Sequence, residues 1–153
     1  MEPPLKEESF DYVWSHGVLH HTQSTKDAVV ACSKLPKKNT GWFYVWVYHK
    51  GGFIWEYGNR LVRSITTRLP EKAVLILSYA LAPLLYLIPA YNKDVNLSNV
   101  SWSECALSIN DWLAPKYQWH HSAEEVISWY EELGYKDIEV TPANGVGVIG
   151  VRK

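Results

Sequence analysis

The six histidines of this 153-residue chain fall in three places: His16, His20 and His21; His49; and His120 with His121. An imidazole changes charge near neutral pH, so it is the side chain best suited to take a proton from a hydroxyl or an acidic carbon. His20 and His21, in Gly17-Val18-Leu19-His20-His21-Thr22, are the candidates for that base. A metal centre is not expected. Adjacent histidine pairs point in different directions, and no Cys-x-x-Cys accompanies them.

The elements that would position these groups can be read from hydrophobic patterning. Phe10–Trp14 is a short aromatic and β-branched run, the composition of a strand buried on both faces. It ends at Ser15-His16-Gly17. In open α/β sheets ligands bind beyond the carboxyl ends of strands, so this end points at a site. An ordinary strand-to-helix turn with surface histidines would have the same composition. A helix is expected over Thr25–Leu35, with Ser24 and Thr25 at its start and Asp27 in its first turn. Ala28, Val29, Cys32 and Leu35 make one apolar face, and Pro36 ends it. Trp42–Tyr48 is the strongest strand of the chain, expected at the centre of a sheet and buried on both faces. His49-Lys50-Gly51-Gly52 breaks it, again at a carboxyl end.

Residues 53–121 read as a large helical insertion between two parts of an α/β core, 1–52 and 122–153. Ile54, Trp55, Leu61, Val62 and Ile65 repeat at helical spacing, with Arg60, Arg63 and Arg68 as a basic face. Ala73–Tyr91 carries no charge and approaches the roughly 20 residues that span a bilayer, but Pro83 and Pro89 interrupt it. A buried helical cap, an interfacial hairpin with arginines at lipid headgroups, and a single span are all compatible with that stretch. Trp102–Trp112 reads as a further helix. Asp111, Trp112, Tyr117, Trp119, His120 and His121 form a polar-aromatic cluster before the last helix, where Ser122 and Glu125 make a capping box and Gly134 a stop. Asp137–Thr141 and Val146–Arg152 read as two strands joined by Pro-Ala-Asn-Gly.

FDYVWSHGVLHHT, residues 10–22, resembles the fourth-strand motif of class I S-adenosylmethionine-dependent methyltransferases of the type 11/12-like group. DWLAPKYQWHHS resembles that family's stretch before its last helix, and SWYEELGYKDIEV its closing helix and sixth strand. The resemblance implies a partial Rossmann-like α/β sheet, its fourth to seventh strands, the last of them antiparallel. It implies S-adenosylmethionine as cofactor, with Ser15, His16, Gly17 and Val18 lining the methionine end. It also implies that Trp46, Tyr48, His49, Asp111, Tyr117 and His120 face the acceptor. The family's glycine-rich turn and ribose-binding acid have no counterpart in the sequence. The resemblance therefore covers only the C-terminal part of a typical domain, through natural truncation or a misplaced start, with the strand at Phe10–Trp14 left at an open sheet edge. A homodimer, or a polypeptide with the missing half, would pair there.

Composition narrows the classes. The chain is 47% hydrophobic with a formal net charge of −1, enough for a sizeable core and without the basic run that nucleic acid would require. Two isolated cysteines, Cys32 and Cys105, exclude a disulfide framework and indicate a reducing, cytoplasmic setting, peripheral to a membrane if the insertion touches lipid. The apolar insertion suits a small, hydrophobic or lipid-like acceptor. A non-catalytic interaction module that has lost cofactor binding is the reading from a different class.

Overall fold

The computed structural model describes residues 4–86, 101–142 and 144–153. The chain divides into two compact units, Met1–Gly52 with Tyr117–Lys153, and Phe53–Lys116. Residues 117–121 thus count with the α/β unit.

The first unit is mixed α/β, built on a five-stranded sheet of β1 (Tyr12–His16), β2 (Trp42–His49), β3 (His120–His121), β4 (Tyr135–Thr141) and β5 (Val146–Arg152). The order is β1-β2-β5-β4, and the two-residue β3 pairs with the end of β2. β1 and β3 run parallel to β2, while β5 is antiparallel to both β2 and β4. Helices α1 (Thr25–Cys32) and α5 (Ala123–Glu132) belong to this unit.

β1 begins two residues later than its composition suggests and runs on through Ser15 and His16. Its start is set by its partner, since Tyr12 pairs with Trp42, the first residue of β2. Phe10 makes only an isolated bridge to Pro36. Nor is β1 buried on both faces: Tyr12, Trp14 and His16 are exposed, while Val13 and Ser15 are half-buried. The core lies on one side of the sheet. There Phe43, Val45, Val47, Val146 and Val148 pack with Val29, Val126, Trp129 and Tyr130. On the other side Trp14 stacks on Tyr44 with centroids 4.1 Å apart, so the aromatic rings shield one another. β2 is central as expected, though Trp42 at its start is exposed.

Two helix ends differ from the periodicity. α1 stops at Cys32, with Ser33 as its cap, because Pro36 disfavours helical backbone in the residue before it. At α5, Ser122 Oγ accepts from the Glu125 N–H, but the Glu125 carboxylate lies 3.1 Å from His121 Nδ1 instead of closing a reciprocal box. Gly134 ends α5 with φ of 75°, the left-handed conformation that favours glycine.

The second unit holds α2 (Phe53–Thr66), α3 (Glu71–Tyr86) and α4 (Trp102–Leu113). α3 and α4 enclose a small core of Val74, Ala82, Cys105, Ala106, Ile109 and Leu113. α4 starts at a complete capping box between Ser101 and Glu104. α3 covers the first part of the apolar stretch Ala73–Tyr91; residues 87–91, Pro89 included, lie outside the described residues. Among the described residues no helix is long and apolar enough to cross a membrane. α2 has the expected period but not the expected facing. It buries Asn59, Arg63 and Thr66, and its apolar residues point outward. Arg63 is therefore not part of an exposed basic face. It donates to the carbonyls of Trp112 and Pro115 at and beyond the end of α4, where Thr66 Oγ1 also donates to the Leu113 carbonyl.

Candidate functional site at the carboxyl ends of the parallel strands

β1 hands the chain to Gly17, whose φ of 76° turns it away from the sheet while its N–H still donates to the Trp46 carbonyl at 3.1 Å. A side chain at this position would be strained by that φ alone. A short 3-10 turn, Leu19–His21, follows and carries both candidate bases. Residues 117–121 lie across this turn. The Trp119 N–H donates to the His20 carbonyl and its indole N–H to the Thr22 carbonyl, each at 3.0 Å. His121 Nε2 shares a hydrogen bond of 2.9 Å with Thr25 Oγ1 at the start of α1. β3 thereby joins the end of β2 to the turn after β1.

Tyr48 is the centre of the resulting cluster. His20 packs on its ring at 4.1 Å, His21 meets it edge-on at 5.7 Å, Trp46 at 5.6 Å and His120 at 5.9 Å. His16 extends the cluster by stacking on Trp46 at 4.5 Å. Gly145 and Gly147 of the neighbouring strand and its approach let the side chains of Trp46 and Tyr44 lie against the backbone. A Cβ at Gly145 would come within 2.4 Å of the Trp46 ring, and one at Gly147 within 2.9 Å of the Tyr44 hydroxyl.

The two adjacent histidines differ. His20 is fully buried, and neither ring nitrogen has a hydrogen-bond partner among the described residues. Burial pushes its pKa down to about 3, and the neighbouring imidazoles of His21, His120 and His121 add to the effect. It is neutral throughout the physiological range. His21 is held by a hydrogen bond of 2.9 Å between Nδ1 and the Tyr117 carbonyl. A carbonyl only accepts, so Nδ1 is the donor, and in the neutral ring the lone pair lies on Nε2. That Nε2 is buried with no partner among the described residues.

The remaining expected site residues are placed as follows. Ser15 has a buried hydroxyl without a hydrogen-bond partner among the described residues, and Val18 is exposed beyond Gly17. Tyr117 contributes its carbonyl. His49 is exposed at the end of β2, in register with His121. Asp111 lies on the exposed side of α4, in the other unit. His16 and His20 have the i, i+4 spacing of a helical metal-binding pair, but a strand end and a turn separate them, not a helix. Among the described residues no three histidine, cysteine or acidic side chains could share a metal ion. Thr25, which ties α1 to β3 through His121, was not singled out by the sequence as a site residue; a threonine in a helix's first turn carries no signal of such a role.

Residues 1–45 match the family model described as a methyltransferase domain, and the match supports a class I S-adenosylmethionine-dependent methyltransferase-like domain. The match takes in β1, the histidine turn, α1 and the first part of β2. No curated protein matches the chain.

Proposed function

We propose that the α/β unit is the substrate-side part of an S-adenosylmethionine-dependent methyltransferase, acting on a small acceptor of hydrophobic character. The observation that carries this reading is the β1 turn with its two histidines, inside the segment that matches the methyltransferase domain. The order β1-β2-β5-β4 with β5 antiparallel supports it, being the order the family resemblance implies for the last strands of a Rossmann-like sheet.

Two features fit the methionine end of the cofactor: the left-handed Gly17, which lets backbone approach a ligand, and the orphaned hydroxyl of Ser15. Ser15, His16, Gly17 and Val18 would hold that end. When bound, the cofactor supplies an electrophilic methyl group on a sulfonium. The protein's task is then alignment in a dry site and removal of the acceptor's proton. Trp46 and Tyr48 would flank the acceptor, with His120 beside them. His21 Nε2, oriented by the Tyr117 carbonyl, would take the proton that the acceptor gives up. His20, neutral and buried, would hold Tyr48 and His21 in place. His49 would complete the acceptor side.

A partner belongs to the same reading. Trp42 N–H donates to the Asp11 carbonyl and Gly17 N–H to the Trp46 carbonyl, so alternation along the parallel ladder directs the backbone groups of Tyr12, Trp14 and His16 to the open side. A strand from a second copy, or from a polypeptide carrying the rest of the sheet, would pair there.

Calorimetric titration with S-adenosylmethionine tests the reading. The chain should bind weakly, and Gly17→Val, which cannot adopt the turn, should abolish the heat. A folded chain that gives no heat at millimolar cofactor would leave a non-catalytic interaction module as the better account.

A further inference from the structure

α2 is turned inside out. On a helical projection its apolar residues Phe53, Ile54, Tyr57, Leu61, Val62 and Ile65 fill one half of the circumference, and all six are exposed. Phe53 and Ile54 retain 85% and 88% of their accessible surface. The opposite side is polar and buried, fastened by Arg63 to the carbonyls of Trp112 and Pro115 and by Thr66 to that of Leu113. Water would favour the reverse facing, which would bury several large apolar side chains. Arg63 and Thr66 on the buried side are hydrogen-bonded, so the outward facing is built into the unit.

Charge identifies what covers the apolar face. Arg60 borders the apolar face beside Phe53 and Arg68 follows the helix in the turn after Thr66, both exposed, and the only acid of the helix, Glu56, lies toward the buried side. Large apolar side chains between cations, on a helix too polar elsewhere to span, suit a membrane surface with anionic headgroups. α3 adds exposed Leu75, Ile76, Tyr79 and Leu84 in the same unit. We propose that α2 seats its outward apolar face in the interface of an anionic lipid bilayer, with Arg60 and Arg68 at the headgroups.

The full chain should float with vesicles of phosphatidylcholine containing phosphatidylglycerol, and at least tenfold less with phosphatidylcholine alone. Ile54→Asp with Leu61→Asp should abolish flotation while leaving the thermal midpoint unchanged, because both side chains are exposed. Arg60→Glu with Arg68→Glu should reduce partitioning onto anionic vesicles at least about thirtyfold, the loss expected for two arginines near a charged surface. A wild-type chain that stays out of the vesicle fraction would overturn the proposal, as would an Asp pair that still floats. So would a wild-type dimer that ignores vesicles and dissociates with the Asp pair, which would give the face to a second copy.

Discussion

α5 and α2 are both amphipathic helices, and they face opposite ways. α5 buries Val126, Trp129 and Tyr130 and shows Glu124, Glu125, Glu131 and Glu132 to solvent. α2 buries Asn59, Arg63 and Thr66 and shows Phe53, Ile54, Tyr57, Leu61 and Ile65. Apolar residues repeating at helical spacing establish that a helix has two sides; what packs on each side is set by its neighbours. α5 lies over β2 and β5, whose inner side chains are valines and Phe43. α2 meets the carbonyls where α4 ends, which call for donors.

The contrast can be broken most sharply by truncation. Tyr130→Ala should cost about 3–5 kcal/mol in urea unfolding, since it removes a fully buried ring and the hydroxyl that donates to the Phe43 and Val148 carbonyls. Leu61→Ala on α2, the same kind of truncation, should stay within about 0.5 kcal/mol in the absence of lipid. Equal losses at the two positions would mean that the α2 face is covered in solution.

Arg63→Met sharpens the same point from the polar side. It should destabilise the chain by about 1–3 kcal/mol through the carbonyls it leaves unsatisfied, measured by the same unfolding assay. A neutral result would show that the buried polar side of α2 contributes nothing to its facing.

His20 offers a pH test inside the α/β unit. Its folded pKa lies near 3 against an ordinary value of 6.5, so below pH 6.5 the unfolded chain binds the extra proton. The stabilisation is complete above pH 6.5 and is lost as pH falls toward 3, by at most about 1.4 kcal/mol per pH unit. His20→Leu should flatten stability between pH 7 and 5 relative to the wild type. Parallel pH profiles would place His20 in contact with water.

Tyr12→Lys has the smallest expected effect on stability, because Tyr12 is exposed at the sheet edge. In analytical ultracentrifugation it should shift the protein toward monomer. A wild-type chain already monomeric at high concentration would refute strand pairing at β1.

Local chemistry made much of this chain legible in its sequence. Ser24 and Ser122 as caps, Gly134 as a stop, the strand at Trp42 and the helix at Trp102 follow from side chains acting on their own backbone within a few residues. The end of the first strand was legible too, because Gly17, in the left-handed conformation, breaks it directly after Ser15-His16. Facing and burial were decided only by the tertiary structure. Tyr12 and Trp14 have the composition of interior residues and are exposed because the core lies on the other side of the sheet. His20 and His21 are adjacent and chemically identical in the sequence. One is neutral and buried against Tyr48, and the other is aligned by a carbonyl 96 residues away. Asp111 and Tyr117, six positions apart and read as one cluster, belong to different units. Sequence patterning reports the periodicity of a segment; which side of it meets a core, a carbonyl or open water depends on contacts between distant residues, and these exist only once the chain has folded.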